Sequence, residues 1–381
     1  MTLVERASAL VPMLLERAPV AEQARRVSDA SYDTLSEAGI FAMTAPKRYG
    51  GGEVDFQTQC DVLAELARGC PSTSWVATIF SAMSWLAGTF PDAAQDEIFA
   101  DRDPRISGVF SPTGTASVSG GGLVVNGRWP FNTGCHGARW TVLNAVVTTE
   151  AGPVPTCVIA RSRELTIVDD WRASGMAATG SNTIVADNVF VPAHRCLGLP
   201  DLLEARLPPR HNAANPYFNY PLAPVLVVNA GGTPLGMARG ALEGFLERLP
   251  GRGIAYTFYA NKAEAPVTHL QLAEAALTIE SADAHVRRAA TLLDRHPGGP
   301  MSIEARVKSR VHVSYATGLA RQAVDTLFYA SGASSIQTHI PIQRVQRDVQ
   351  ALANHAIMHT QTALELYGRV LCGLPPNTPI Y

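Results

Sequence analysis

The sequence predicts an α+β chain in which a compact β-domain separates two helical regions. Apolar residues recur at helical spacing over residues 1–103, short β-prone runs bounded by turn residues fill 104–200, and long helical periodicity returns over 201–381. Segregated runs of helix and strand favour separate α and β units over alternating βαβ units. A chain of 381 residues has room for these three domains at about 150 residues per domain.

The N-terminal region begins with an amphipathic pattern. Charged residues interrupt the apolar residues of 1–19, which is typical of a helix in the mature protein and not of a signal peptide. Apolar stripes follow at 28–38 and 54–67, and the glycines at 50–52 separate them. Residues 1–103 are therefore predicted to form a helical domain.

The central region is predicted to be an antiparallel β-domain, and the last region a bundle of long helices. β-Prone runs at 140–147 and 157–160 are short and bounded by turn residues. Long helical patterns then cover 266–293, 302–328 and 343–371.

Composition excludes several classes of function. Lys and Arg number 31 against 33 Asp and Glu, and this balance argues against binding to nucleic acid or to a membrane surface. The six cysteines form no CxxC pair, and prolines and glycines interrupt the most apolar window, 221–237. These features predict a cytoplasmic protein. No GxGxxG, P-loop or GxSxG motif supports a Rossmann enzyme, a phosphoryl transferase or a hydrolase.

The densest group of hydroxyl and aromatic side chains lies in the first predicted hairpin. The hydroxyls of Ser111, Thr113 and Thr133 are suited to hydrogen-bond the edge of a flat heterocycle. Trp129 or Phe131 is suited to pack on its face. An ordinary hairpin with Ser/Thr turns has the same pattern, so both interpretations stay open.

Two further clusters carry candidate chemistry. The small residues of 171–183, which include Ser181, allow a ligand to approach the backbone closely, although a tight loop would look alike. On a predicted helix, Asp348 and His355 share a face, and His359 lies one turn beyond His355. Without the Glu of HExxH or a third ligand, no metal site is predicted. A neutral His355 facing a pocket can take a proton near pH 7, whereas packing between helices is the alternative.

The whole chain resembles the acyl-CoA dehydrogenase superfamily. The segment Phe110-Ser111-Pro112-Thr113 and the run WPFNTG at 129–134 match the family's flavin-binding pair of segments. This resemblance implies an N-terminal helical domain, a central β-domain and a C-terminal four-helix bundle, usually assembled as tetramers. The long bundle helices are apolar around much of their girth and must bury that surface, which predicts a homodimer or homotetramer.

Two segments depart from the pattern of acyl-CoA dehydrogenases and favour another branch of the superfamily. The segment that holds a Glu base in dehydrogenases has no carboxylate here and reads Ala353-Asn354-His355-Ala356. The family's Arg-rich RxQFG segment appears as residues 259–262, without an arginine. The runs WPFNTG, WRASGMAATGSNT and RDVQALANH are instead similar to flavin-dependent monooxygenases of this fold, the oxygenase components of two-component systems. These include hydroxyphenylacetate-type and aromatic polyketide hydroxylases.

The monooxygenase resemblance implies a chemistry and a set of roles. A separate NAD(P)H-flavin reductase would supply reduced FAD or reduced FMN. The reduced flavin would react with O2 to give a C4a-hydroperoxyflavin, which hydroxylates the substrate. Thr133 would bind flavin N5, and Phe110, Ser111, Thr113, Trp129, Phe131 and Ser181 would complete the flavin site. His355, two predicted helical turns after Asp348 of the family's RD pair, would deprotonate or orient the substrate. His355, Thr133 and Asp348 are thus the expected catalytic residues.

The expected substrate is a bulky aromatic or indolic natural product. Trp85 and Phe218 are predicted to form an aromatic wall of its pocket. N-oxygenation of an amine or amino-sugar and acyl-CoA dehydrogenation remain the alternative activities. The absent Glu argues against dehydrogenation.

Overall fold

The first hundred residues form six α-helices in the computed structural model, which describes residues 1–150 and 152–381. These helices are α1 (Leu3–Ala9), α2 (Val11–Ala24), α3 (Asp29–Glu37), α4 (Phe56–Gly69), α5 (Pro71–Ala87) and α6 (Asp92–Phe99). The apolar pattern at 1–19 is split between α1 and α2, because Leu10 ends the first helix and the second begins at Val11, with Pro12 in its first turn. Nearly every side chain of α5 is buried, so this helix forms the centre of the N-terminal domain.

A seven-stranded sheet follows. Its strands are β1 (Ile106–Ser119), β2 (Gly122–Trp129), β3 (Trp140–Thr149), β4 (Gly152–Arg161), β5 (Thr166–Val168), β6 (Thr183–Pro192) and β7 (Cys196–Gly198), in the order β5-β6-β2-β1-β3-β4-β7. The prediction of an all-antiparallel sheet is wrong at one place, because β1 and β3 pair in parallel. Residues 130–139 carry the chain across from β2 to the other side of β1 before β3 begins.

The C-terminal region is helical, as predicted. Its helices are α7 (Leu199–Leu203), α8 (Leu222–Ala230), α9 (Gly232–Glu247), α10 (Pro266–Asp294), α11 (Ile303–Ser331), α12 (Pro341–Ala353) and α13 (Thr360–Leu371). Helix α11 packs against α9, α10, α12 and α13, and α9 packs closely on α4 of the N-terminal domain. The structure thus confirms the α+β class and the order helical domain, sheet, helical bundle.

The predicted helix over 343–371 is interrupted at 354–359. Side chains of α11 bind carbonyl groups of this turn: Arg310 donates to the Ala356 oxygen and Ser314 to the Ile357 oxygen. Met358 is fully buried and anchors the turn in the core. Because these contacts occupy carbonyls that a continuous helix would use, His355 lies in a turn instead of on a helix face.

The helices of the described residues include no candidate for a membrane span. None of them combines the length and the apolar character that a bilayer crossing requires.

Candidate functional site

Strand β1 leaves its regular pairing at the predicted flavin segment. Its register with β3 shifts between Val109 and Gly114, and its pairing with β2 begins only at Thr115. The side chain of Asn144 fills part of this interruption by donating to the Phe110 oxygen over 2.7 Å. Residues 110–113 have no partner residue in either register, so their backbone polar groups, apart from the Phe110 oxygen, are candidates to bind a ligand.

Three hydroxyl groups form a continuous hydrogen-bonded row that links the loop after β2 to residues 179–181. Thr133 Oγ1 lies 2.8 Å from Ser181 Oγ, and Ser181 Oγ lies 2.7 Å from Thr179 Oγ1. Thr179 Oγ1 in turn donates to the Met176 carbonyl over 2.7 Å. We call Thr133, Ser181 and Thr179 the hydroxyl chain. All three residues are buried, and Thr133 retains the most exposure of the three.

Asp348 anchors the loop that carries Thr179 and Ser181. Its Oδ1 accepts a hydrogen bond of 2.5 Å from the Met176 N–H. Met176 has a φ of 54°, a left-handed conformation that costs a non-glycine residue about 1–3 kcal/mol. Gly175 lies directly against Arg347, where an added Cβ would sit 2.2 Å from the Arg347 oxygen. The Arg347-Asp348 pair therefore holds this loop in a strained shape, and Asp348 acts as a positioning residue.

Burial makes ionisation of the Asp348 carboxyl unfavourable. Desolvation raises the pKa of this carboxyl to about 7, against the opposing effects of the Met176 N–H and of Arg344. The unfolded chain loses the proton near pH 4 and the folded chain near pH 7, so this group lowers the free energy of unfolding progressively between those values.

We predict that Asp348→Asn removes this pH dependence. The amide oxygen can still accept from Met176, while the group no longer ionises. The Tm of Asp348→Asn minus that of the unmodified protein should therefore be more positive at pH 8 than at pH 5. If the Tm values of the two proteins instead run parallel from pH 5 to pH 8, Asp348 does not titrate in this range.

Asn182 fastens the same loop from its other side. Its Oδ1 accepts from the N–H groups of Asp170 and Trp171, at 3.1 and 2.9 Å, and its Nδ2 contacts His136 Nε2 at 2.8 Å. This fully used, buried amide explains why an asparagine follows Ser181.

Aromatic side chains border the site differently from the prediction. Phe131 is 69% exposed and meets Trp171 edge to face, with 5.9 Å between the ring centroids. Trp129 is 0% exposed, and its indole N–H donates to the Asn144 oxygen over 2.8 Å. Trp129 is therefore part of the sheet core, and Phe131 is the aromatic ring of this pair that a ligand can reach.

Ser111 and Thr113 are both exposed. The Thr113 hydroxyl already donates to the Arg128 oxygen over 2.7 Å, so it offers a ligand only its lone pairs. Ser111 retains its donor and its acceptors for a ligand.

His355 lies against Trp75 at the start of α5. The two rings meet edge to face, with 5.3 Å between their centroids. Solvent reaches the imidazole, yet enough protein surrounds it that desolvation lowers its pKa, so the ring is neutral at pH 7. The Ile357 N–H approaches Nδ1 at 3.4 Å, which leaves Nε2 as the ring nitrogen available to a ligand.

Helix α5 connects the two halves of the site. Trp75 contacts His355, and its neighbour Val76 packs against Gly134, where an added Cβ would lie 2.9 Å from Val76. The structure thus brings His355 and the loop of Thr133 to one end of α5. Trp75 was missed by the sequence prediction because nothing in the apolar pattern of α5 distinguishes it from core residues.

Trp85 and Phe218 do not form the predicted substrate wall. Both side chains are buried, the Trp85 indole donates to the Tyr217 oxygen over 2.7 Å, and Phe218 fills the space beside Gly88. These contacts stabilise the packing of α5 on residues 216–218, which makes both residues structural.

The residues present fit a flat ligand with polar edges. The hydrogen bond from Thr113 to the Arg128 oxygen places segment 110–113 beside the end of β2, and Phe131 and Thr133 follow directly after that strand. The Asn132 amide is fully buried, and within the described residues neither its Nδ2 nor its Oδ1 has a hydrogen-bond partner. Because this side chain has 0% exposure, its amide is closed off from a ligand.

Comparison with known proteins agrees with this geometry. Residues 8–99 match the N-terminal domain of acyl-CoA dehydrogenases, and residues 229–360 match the C-terminal domain. The oxygenase subunit HsaA of a flavin-dependent monooxygenase from Rhodococcus jostii is 32% identical over 98% of both chains. The oxygenase component of an FADH2-dependent resorcinol hydroxylase from a Rhizobium species is 31% identical over 98% of this chain and 95% of its own.

A solved structure extends the likeness to three dimensions. XiaF from a Streptomyces species, in complex with FADH2 and glycerol, superimposes with a TM-score of 0.91 at 32% identity and covers 100% of this chain and 97% of its own. The residue patterns, the fold and these likenesses agree, and this chain belongs to the flavin-dependent monooxygenase oxygenase components of the acyl-CoA dehydrogenase superfamily.

Proposed function

We propose that this oxygenase hydroxylates a bulky aromatic or indolic compound with O2, using reduced FAD or reduced FMN from a separate NAD(P)H-flavin reductase. The observation that carries the proposal is the placement of His355 and the Thr133 loop at the same end of α5. When bound there, reduced flavin supplies oxygen activation and oxygen transfer through its C4a position.

The protein's own residues then divide the work. Thr133 binds flavin N5, Ser111 and the backbone of 110–113 bind the ring edge, and Phe131 covers part of its face. The neutral imidazole of His355 exchanges a hydrogen bond or a proton with the hydroxyl or N–H of the substrate, which raises the electron density of the aromatic ring. Trp75 packs beside the substrate and excludes water.

The geometry favours hydroxylation over acyl-CoA dehydrogenation. Residues 354–359 contain no carboxylate. Asp348 is the carboxylate nearest to His355 in sequence, but it is 3% exposed and bound to the Met176 N–H, so it is not placed to remove a proton from a substrate.

Product analysis with ¹⁸O2 tests this function. The protein, FAD or FMN, a flavin reductase, NAD(P)H and catalase are incubated with a phenol, an indole, an aliphatic amine or an acyl-CoA. We expect one ¹⁸O atom in an aromatic hydroxyl group. Label on nitrogen would replace the proposed substrate class with amines, and acyl-CoA oxidation without reductase would overturn the monooxygenase assignment.

The protein is also proposed to assemble as a homodimer or homotetramer with flavin near a subunit boundary. Tyr256 and Phe258 project fully into solvent, with exposures of 107% and 108%, and Leu270 and Leu277 are exposed on α10. Aromatic and aliphatic surface of this kind is typical of interfaces between subunits.

Light scattering at micromolar concentration checks the assembly. We predict a species of two or four times 40.6 kDa, the mass of one chain. A single species of 40.6 kDa would contradict the prediction.

A further inference from the structure

The hydroxyl chain has one arrangement of its protons that satisfies every contact. A hydroxyl carries one proton and accepts through its lone pairs. Each of the three contacts, at 2.7, 2.7 and 2.8 Å, therefore needs one proton between its two oxygens, because two lone pairs facing each other at this distance repel.

The direction is fixed at the Met176 carbonyl, which can only accept. Thr179 must donate its proton there, over 2.7 Å. The same carbonyl also accepts the Thr179 N–H at 3.1 Å and the Trp171 indole N–H at 3.3 Å, so the local dipoles all favour this direction. Thr179 then has no proton for Ser181, and Ser181 must donate to Thr179.

The same count of protons fixes the direction of the hydrogen bond between Thr133 and Ser181. Ser181 has used its proton on Thr179, so the 2.8 Å contact between Ser181 and Thr133 requires Thr133 to donate to Ser181. The three hydroxyls thus supply three protons to three contacts. Toward a ligand, the Thr133 oxygen presents only lone pairs.

We propose that the hydroxyl chain fixes Thr133 as an acceptor toward flavin N5, so that the protein selects reduced over oxidised flavin. N5 carries a proton in reduced flavin, which allows it to donate to Thr133. In oxidised flavin N5 has a lone pair and no proton, so it faces the Thr133 lone pairs and gains no hydrogen bond. This inference rests on the proposed function, which places N5 at Thr133, and adds Thr179 and Ser181 as positioning residues for cofactor selection.

Breaking the chain behind Thr133 should relax the selection. In Ser181→Ala the Thr133 proton has no internal acceptor and can turn toward oxidised N5. In Thr179→Val, Ser181 is free to donate to Thr133, which releases the Thr133 proton in the same way. Thr179→Val also keeps the shape of the side chain, and the Met176 carbonyl retains its two N–H donors.

The test is anaerobic titration of each variant with oxidised FAD and with reduced FAD, read by flavin fluorescence and absorbance. We expect Ser181→Ala and Thr179→Val to bind oxidised FAD about 3- to 10-fold more tightly, as one gained hydrogen bond allows, with little change for reduced FAD. A tenfold gain in the affinity for oxidised FAD relative to reduced FAD lowers the two-electron potential of bound flavin by about 30 mV, which a redox titration measures independently.

Matched variants separate the possible outcomes. Thr179→Ser keeps the hydroxyl and should behave like the unmodified protein. Ser107→Ala removes a buried hydroxyl that bonds Thr141 at 3.0 Å in the sheet, and it controls for loss of stability.

Two outcomes would overturn the inference. In the first, Thr133→Val weakens the binding of reduced FAD, but Ser181→Ala and Thr179→Val leave the ratio of the affinities for reduced and oxidised FAD unchanged. The hydroxyl chain then does not set the selection, and the proposed function stands. If Thr133→Val changes the affinity for neither form of FAD, N5 is not at Thr133, and that placement fails together with the inference. Should Ser181→Ala fold poorly, Thr179→Val decides.

Discussion

His355→Ala is expected to retain the fold and to bind reduced flavin normally, while hydroxylated product forms about 10²–10⁴-fold more slowly. The imidazole is neutral at pH 7 and is the side chain of the 354–359 turn that we propose to exchange a proton with the substrate. Without it, oxygen should still be consumed, but the product-to-peroxide ratio should fall. The measurement is product and H2O2 per O2 consumed, together with the Tm.

Two variants accompany this prediction. His355→Asn keeps a hydrogen-bonding side chain without an ionisable ring, so it distinguishes orientation of the substrate from proton transfer. His359→Ala removes the nearby histidine that caps α13 and should lower the Tm slightly with unchanged product per O2. A lower Tm with full coupling in His355→Ala would show that His355 only packs against Trp75.

Thr133→Val is expected to have the second-largest effect. The change keeps the shape of the side chain and removes the oxygen that we propose to bind N5. Reduced flavin should bind about 2- to 10-fold more weakly, the size of one hydrogen bond, and more of the consumed O2 should be released as peroxide.

Thr133→Ser is the matched control, because it keeps the hydroxyl and removes only a methyl group. Its peroxide yield and its affinity for reduced flavin should be close to those of the unmodified protein. Equal peroxide yields in Thr133→Val and Thr133→Ser would remove Thr133 from the proposed site.

The sequence predicts the fold well because its patterns are local. Helical and β-type periodicities identify the three regions, and the hydroxyl and aromatic residues of the first hairpin identify the Thr133 loop as a candidate ligand site. The parallel pairing of β1 with β3 is not local, since it depends on the path of residues 130–139 across the sheet. The break after α12 is also tertiary, because Arg310 and Ser314 of α11 create it.

Aromatic residues and hydroxyls in the site were harder to predict. Trp129, Trp85 and Phe218 are as consistent with a binding wall as with a core, and only their burial decides between the two. Thr179 acts through Ser181, and this role follows from counting protons across three residues instead of from any residue pattern.

The most direct test of the central claim is to mix the protein with anaerobically reduced FAD or FMN, add O2 in a stopped-flow instrument, and follow flavin absorbance and peroxide together. An oxygenase component should delay the appearance of oxidised flavin and of H2O2 relative to free reduced flavin, with a transient spectrum that matches neither form. Oxidation at the rate of free flavin without a transient, or bleaching of a bound yellow flavin by an acyl-CoA alone, would contradict the account.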